Sequence, residues 1–174
     1  MSSKDFGLTG EGEELIKDCN RLGLIVDLAH ASRRTHLDVA KLSVLPFINS
    51  HSNAKAVYDV SRNLDDELFE LIRGKQGVVG SIFGTSMVGP KKDVDSLADH
   101  IMYVYEKFGG DILALGSDYF GIIDSSVTKG VEDITKMQNL FGVLAKRGMG
   151  KEDIEKLAYK NSLRVIEKNA ERWK

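Results

Sequence analysis

Short apolar runs alternate with longer amphipathic stretches along the whole of this 174-residue chain. Each run is rich in Val, Ile, Leu and Phe, is too short for a helix and is flanked by Gly or Pro, which is typical of buried parallel strands. The four runs are residues 22–28, 44–48, 77–83 and 111–115. Because parallel strands need long crossover connections, this alternation predicts the α/β class with helices covering a parallel sheet.

The segments between the runs are predicted to be helices with one apolar face. Leu97, Ile101 and Val104, for example, recur at the three- and four-residue spacing of a helix. Asp65 and Asp95 precede two of these segments and are predicted to cap them. The order is therefore a helix followed by four strand–helix units.

No linker or low-complexity tract interrupts this order, so residues 1–174 are predicted to form a single domain. Two architectures fit: an open doubly wound sheet, or half of a TIM (β/α)8 barrel. A doubly wound nucleotide-binding domain would need a Gly-rich turn directly after a strand. The nearest candidate, residues 80–84, matches neither the dinucleotide-binding nor the phosphate-loop pattern.

Composition excludes several classes of function. The chain has 24 Lys and Arg against 26 Asp and Glu, a formal net charge of -2, so we expect no nucleic-acid partner. Cys19 is the only cysteine, which rules out an internal disulfide and a thiolate metal site. The apolar runs are too short to cross a bilayer and residues 1–5 resemble no secretion signal, so we expect a cytoplasmic location and no membrane contact.

Polar residues that suit metal chemistry follow three of the predicted strands. His30 ends the first strand, His51 ends the second and Asp118 ends the fourth. The carboxyl ends of parallel strands meet on one face, which holds the active site in such folds. Since neighbouring strands lie about 4.8 Å apart, two imidazoles at their ends can both reach one Zn²⁺. Asp118, two strands further on, is better placed to contact a water molecule than to bind the metal firmly.

Other polar residues carry weaker signals. Arg62 lies 11 residues after His51, in a predicted loop, where a guanidinium could bind a substrate carboxylate through two parallel hydrogen bonds. Exposed arginines are common, so its spacing alone does not decide its role. His36 and His100 fall within predicted helices, and a structural role is expected for both.

Several segments, in the same order and spacing, resemble motifs of the renal (membrane) dipeptidase family, which belongs to the amidohydrolase superfamily of metal-dependent barrels. The resemblance covers nearly the whole chain. The motifs that carry it include Asp27-Leu28-Ala29-His30, Asn49-Ser50-His51-Ser52, Ser61-Arg62-Asn63, Ala98-Asp99-His100-Ile101, Leu115-Gly116-Ser117-Asp118 and Asn161-Ser162-Leu163-Arg164-Val165.

The resemblance implies that this chain is the C-terminal half, strands five to eight, of a zinc-dependent dipeptidase barrel. His30 and His51 would bind the second of two zinc ions, and Arg62 would bind the terminal carboxylate of a dipeptide substrate. Asp118 would handle the proton of the attacking water and pass it to the leaving amine. The implied reaction is hydrolysis of the dipeptide bond by metal-activated water.

Two departures from the family pattern limit this expectation. Where the family has Asp-Phe-Asp-Gly, this chain has Asp118-Tyr119-Phe120-Gly121, so the second acid is lost. The first four strands, which in the family supply a His-x-Asp pair for the first zinc, are also absent. His36-Leu37-Asp38 has the letters of this pair but falls at the start of a predicted helix and not in a first strand. We therefore expect partial zinc occupancy and poor activity of the chain alone.

A half barrel would leave two strand edges bare, so we expect either a homo-oligomer or a separate chain carrying the N-terminal half. Two alternatives to a dipeptidase stay open. One is a catalytically incomplete subunit that serves in assembly or small-molecule binding. The other is another metal hydrolase of the same superfamily, acting on a lactone, amide or phosphoester.

Overall fold

The computed structural model describes residues 5–122 and 126–173, which form an α/β fold. Three strands are present in this part of the chain: β1 Ile48–Asn49, β2 Val78–Ser81 and β3 Leu113–Leu115. The helices are α1 Gly10–Leu22, α2 Arg33–Leu42, α3 Asp66–Gly74, α4 Thr85–Val88, α5 Val94–Phe108, α6 Met137–Lys146, α7 Lys151–Glu155 and α8 Asn161–Ala170. Shorter turns are the 3-10 helices Gly110–Ile112 and Ile134–Lys136 and the π-helical turn Lys156–Lys160.

The sheet is parallel and its strands lie side by side in chain order, β1-β2-β3. A fourth segment, residues 26–28, runs parallel to β1 through hydrogen bonds from Leu28 N to Ile48 O (2.8 Å) and from Ile48 N to Val26 O (2.9 Å). Four parallel segments in sequential order are the arrangement of half a (β/α)8 barrel, which confirms the predicted fold class.

Two strand boundaries differ from the prediction. The first predicted strand began at residue 22, but Leu22 ends α1 and Gly23 closes that helix in the left-handed conformation, with a φ of 69°. The fourth began at residue 111, but residues 110–112 form a 3-10 turn in which Leu113 N binds Gly110 O. Asn161 Nδ2 binds the carbonyl oxygens of Gly110 and Leu113, both at 2.8 Å. Both differences shorten the strands at their amino ends.

Of the two predicted helix caps, one is observed and the other is replaced by a nearby aspartate. Asp65 caps α3 as predicted, accepting a hydrogen bond from Leu68 N at 3.1 Å. The cap of α5 is Asp93 and not Asp95, because a parallel bridge with Lys129 holds Asp93 in extended backbone directly before the helix. Asp95 lies in the first turn, where its charge still favours the amino end of the helix.

Helix α8 closes the end of the sheet opposite the predicted active face. Its side chains and those just after it bind backbone carbonyls that precede all four parallel segments: Arg164 binds Gln76 O and Asp111 O, Asn169 binds Pro46 O, and Trp173 binds Gly23 O. Val165 of α8 packs against one face of the sheet, where it contacts Val78 of β2 and Ala114 of β3. The other face packs against the remaining helices in the main core. The carboxyl ends of the strands lie at the opposite end of the sheet from α8, here termed the open end.

No helix in the described part of the chain is both long and apolar enough to cross a membrane. His36 and His100, for which a structural role was expected, are both buried. His36 Nδ1 contacts Ser32 O at 2.9 Å, and its Nε2 contacts Asn49 Nδ2 at 3.2 Å. His100 Nδ1 accepts from Ala54 N at 3.2 Å, and its Nε2 contacts Val88 O at 3.1 Å. In both His36 and His100 one ring nitrogen donates and the other accepts, which is the pattern of a neutral imidazole.

Burial lowers the pKa of both His36 and His100, which predicts a fold that weakens in mild acid. The unfolded chain takes up protons below about pH 6.5, whereas the folded chain resists them. The free energy of unfolding is therefore expected to fall between pH 7.5 and 5.5, by up to about 1.4 kcal/mol per pH unit for each histidine. Urea denaturation at the two pH values measures this. His100→Gln should flatten the dependence, and equal stability at both pH values would contradict it.

Candidate metal centre

The two histidines predicted to bind metal lie together at the open end of the sheet. His30 follows the segment that pairs with β1, and His51 follows β1 itself. Their Nε2 atoms are 2.9 Å apart, and the ring centroids are 4.9 Å apart with the planes inclined at 64°. Imidazoles from two adjacent strand ends thus converge on one point, as their positions in the sequence suggested.

The backbone at two of the predicted site residues is strained. His30 has a φ of 65° and Asp118 a φ of 58°, in the left-handed region that L-residues other than Gly rarely adopt. At His30 the conformation is part of a turn closed by Ala31 N binding Leu28 O at 3.0 Å. Such a residue costs roughly 1–2 kcal/mol and tends to occur at functional sites. Both predicted site residues thus hold a backbone conformation that costs local stability.

The backbone that leads to His51 crosses two glycines. The carbonyl of Ser50 lies against Gly80 of β2 and Gly116, which follows β3. A methyl group on either glycine would overlap Ser50 O and lie 2.9 Å from Ser50 C. Only glycine at these two positions allows the end of β1 to approach its neighbours this closely. This close packing helps to set the position of His51.

The contacts of His51 favour one orientation and an uncharged ring. Its Nδ1 lies 2.8 Å from Ser50 Oγ, so Nδ1–H can donate to that hydroxyl and leave Nε2, which faces His30 Nε2, without a proton of its own. Burial lowers the pKa of His51, and the positive charge of Arg62 acts in the same direction, whereas Asp118 raises it. A lowered pKa favours the unprotonated ring that a metal ligand requires.

The donor set fits part of a zinc site. Two nitrogens about 2.1 Å from one Zn²⁺ in tetrahedral geometry lie roughly 3.4 Å apart, so the two rings need to separate by only about half an ångström. Within residues 5–122 and 126–173, no group of three or more His, Cys, Asp or Glu side chains is arranged to hold a metal. The structure therefore brings together His30 and His51 as a pair, and Asp118 does not complete a three-ligand cluster.

Arg62 and Asp118 lie near this pair. The negative charge of Asp118 raises the pKa values of both His51 and Arg62, so the three side chains share one electrostatic environment. Burial is the larger effect on Arg62 and lowers the pKa of its guanidinium. Among the described residues, no ion pair or side-chain hydrogen bond engages that guanidinium. It is a half-buried cation available to an anionic ligand.

The loop that carries Arg62 is closed at its base. Ser52 Oγ donates to Arg62 O at 2.6 Å. Leu64 N binds Asn53 O at 2.9 Å, which brings the two ends of the loop together. Buried Asn63 donates to Tyr58 O, within the same loop, and to Met87 O, outside it. The loop is thus held in one position relative to β1, and Arg62 with it.

Sequence reasoning missed three contributors to this site. Ser50, which contacts His51 Nδ1, and the glycine pair at 80 and 116 act through contacts between strands, which a linear pattern does not show. Asp27 lies within the Asp27-Leu28-Ala29-His30 motif, and its carboxylate accepts hydrogen bonds from the backbone beside both histidines. A charged residue within an otherwise apolar strand was the available signal.

The whole chain, residues 1–174, matches the family model described as membrane dipeptidase (peptidase family M19). A dipeptidase of Claviceps purpurea is 33% identical over 163 residues, which are 92% of this chain and 38% of that protein. The chain therefore spans about two-fifths of the length of this curated relative.

Solved structures show the same partial coverage. A metallopeptidase from Rhodobacter sphaeroides, crystallised with a phosphinate mimic of the dipeptide L-Ala-D-Ala, superposes with a TM-score of 0.86 at 31% identity, covering 94% of this chain and 47% of that one. A probable dipeptidase from Pseudomonas aeruginosa gives a TM-score of 0.88 at 24% identity, covering 95% of this chain and 55% of that one, and supports the fold alone.

Proposed function

We propose that this chain, which belongs to the membrane dipeptidase family, provides half of a zinc-dependent site that hydrolyses dipeptides. The observation that carries the proposal is the approach of His30 Nε2 and His51 Nε2 to 2.9 Å at adjacent strand ends. The metallopeptidase with which the chain superposes was solved with a dipeptide mimic, which supports the substrate class. Zinc is proposed because two imidazoles at this spacing suit its ligand preference.

His30 and His51 would hold the metal, which when bound activates water and polarises the substrate carbonyl. The contact of His51 Nδ1 with Ser50 Oγ and the burial that lowers the pKa of His51 favour an uncharged ring whose Nε2 faces His30 Nε2. The turn at His30, with its positive φ, would position the partner ring.

Arg62 would bind the carboxylate of the dipeptide. Its guanidinium is half-buried and carries no internal partner in the described part of the chain, so binding would not require an existing ion pair to break. A carboxylate bound through two parallel N–H···O bonds would fix the substrate backbone relative to the histidines.

Asp118 would act in proton transfer. Its negative charge raises the pKa values of both His51 and Arg62, which supports a carboxylate within electrostatic reach of both side chains. In this position it would accept a proton from the attacking water and deliver it to the amine nitrogen as the peptide bond breaks.

Two histidines are fewer than the three protein ligands usual at catalytic zinc. We propose that the remaining ligands come from the other half of the barrel, carried by further chain or by a second copy of this one. The chain alone is then expected to bind zinc weakly, in a single site, and to hydrolyse dipeptides slowly.

A second candidate function is a subunit that retains the half barrel for assembly or small-molecule binding. The observation that favours it is the lack of a three-ligand cluster within residues 5–122 and 126–173. It gives no account of the strained backbone at His30 and Asp118 or of the uncommitted Arg62 guanidinium.

Replacing Arg62 by alanine distinguishes these functions. The zinc-supplied chain is expected to hydrolyse a dipeptide faster than its C-terminal amide, and Arg62→Ala should lower kcat/KM for the dipeptide by roughly 10–100-fold, because a charge-assisted pair contributes about 1.5–3 kcal/mol. The amide, which lacks the carboxylate, should be affected far less.

Arg21→Ala, at an exposed position in α1, is the control and should leave both rates unchanged. Equal loss for the dipeptide and the amide would remove the carboxylate assignment. If the wild-type chain with zinc hydrolyses neither substrate, the assembly function is favoured instead.

A further inference from the structure

We infer that Asp27 is a positioning residue that fixes the two histidine-bearing strand ends relative to each other; this role rests on the proposed metal site. One carboxylate oxygen, Oδ1, accepts hydrogen bonds from Ala29 N at 3.0 Å and from Ser50 N at 2.9 Å. Ala29 directly precedes His30, and Ser50 directly precedes His51. A single atom therefore holds the two peptide groups beside the two proposed ligands.

The Asp27 carboxylate replaces a backbone hydrogen bond that a regular parallel ladder would form between the two segments. Ile48 N binds Val26 O and Leu28 N binds Ile48 O, so a regular parallel ladder would next pair Ser50 N with Leu28 O. Leu28 O is instead engaged by Ala31 N, at 3.0 Å, in the turn that carries His30. Asp27 Oδ1 accepts from Ser50 N in its place.

This arrangement explains how the strained turn and the strand end stay in register. Without Asp27, the amide of Ser50 would lose its only assigned acceptor among the described residues, and the turn at His30 would lose a hydrogen bond that opposes its strain. The backbone segments that carry His30 and His51 would then be free to separate, although both imidazole rings would still be present. Ligands held less firmly bind a metal more weakly, by about 10–100-fold for lost supporting hydrogen bonds.

Asp27 acts here through its geometry more than through its charge. The described residues hold no three-ligand metal cluster, so Asp27 is not placed as a third ligand beside His30 and His51. An asparagine at this position keeps a carbonyl oxygen that can accept both hydrogen bonds but removes the charge. An alanine removes both.

The test compares Asp27→Ala with Asp27→Asn in the full chain, using Zn²⁺ titrated against a chromophoric chelator. Asp27→Ala is expected to lower zinc affinity by about 10–100-fold, and Asp27→Asn by less than about 3-fold. Asp93→Ala is the matched control, because Asp93 Oδ1 also accepts two hydrogen bonds, from Ser96 N and Ser96 Oγ, but these cap α5 and involve neither histidine-bearing segment. It should lower stability without changing zinc affinity.

Amide hydrogen exchange in the metal-free chain gives a second measurement. The amides of Ala29 and Ser50 are expected to exchange at least about 10-fold faster in Asp27→Ala and at nearly the wild-type rate in Asp27→Asn. Faster exchange with unchanged zinc affinity would overturn the positioning role, and so would an equal loss of zinc affinity in both variants. A wild-type chain that binds no zinc, with the exchange pattern as expected, would instead refute the proposed function and leave the hydrogen bonds of Asp27 established.

Discussion

Replacing Gly116 by alanine is expected to lower the free energy of unfolding by about 3 kcal/mol, the upper part of the range for overpacked sites. The added methyl group would overlap Ser50 O and lie 2.9 Å from Ser50 C and 3.1 Å from the Cα of Gly80. These neighbours are backbone atoms in a parallel sheet, so no side chain can rotate to make room. Either the end of β1 moves or β3 does.

The effect is steric and not a matter of backbone conformation. Gly116 and Gly80 are not among the glycines with positive φ, so alanine could adopt the same backbone angles at both positions. Movement of Ser50 would displace the adjacent His51, and zinc affinity should fall together with stability. Gly80→Ala, whose methyl group would overlap the same carbonyl, should behave alike.

Gly142→Ala provides the matched control, since a methyl group at this position in α6 would meet no described atom within 4 Å apart from its chain neighbours and the nearby backbone of the helix itself. Alanine there should raise the free energy of unfolding by about 1 kcal/mol, as expected for a helix interior. Urea denaturation of the three variants against wild type measures the contrast. A Gly116→Ala protein as stable as Gly142→Ala would show that the strands are not packed as closely as described.

The α/β class could be predicted because the apolar runs are short and continuous, whereas the stretches between them have helical spacing. The choice of a half barrel over an open doubly wound sheet came from the family resemblance. Strand boundaries were less accessible. Leu22 is apolar and precedes a strand, and only the left-handed Gly23 shows that the helix ends there. Asp93 and Asp95 are equally good caps by composition, and the choice between them depends on a bridge to Lys129, 36 residues further along the chain.

The pair of candidate ligands could be predicted from the sequence, but the residues that position them could not. The approach of His30 to His51 could be predicted because each follows an apolar run, and the ends of neighbouring parallel strands meet by topology. The role of Asp118 stays a prediction. The positive φ at His30 could not be predicted from the sequence, because glycine is the residue that usually indicates such a conformation. Asp27, Ser50 and the glycines depend on strand register, which exists only once the sheet has formed.

The two histidines are expected to be jointly required for metal binding. His51→Ala or His30→Ala should each lower zinc affinity by about 100-fold or more, because one imidazole at an open strand end leaves a single protein donor. The double variant should bind little more weakly than either single one. Zinc competition titrations on the wild-type chain and the three variants measure this.

The fold should survive these changes, since both rings lie at the open end and are not part of the hydrophobic core. The free energy of unfolding of the metal-free variants is expected to stay within about 1 kcal/mol of wild type. Asp118→Asn is the informative comparison, because Asp118 does not form a three-ligand cluster with the histidines and its loss should change zinc affinity by less than about 3-fold.

Each possible result separates a different part of the proposal. Zinc affinity unchanged in His51→Ala would mean that the 2.9 Å approach of the rings is a hydrogen bond between neutral imidazoles and not a ligand pair. A loss in Asp118→Asn as large as in the histidine variants would make Asp118 a third ligand. Two tight zinc sites in the wild-type chain would contradict a half site altogether, because the paired imidazoles can account for one ion at most.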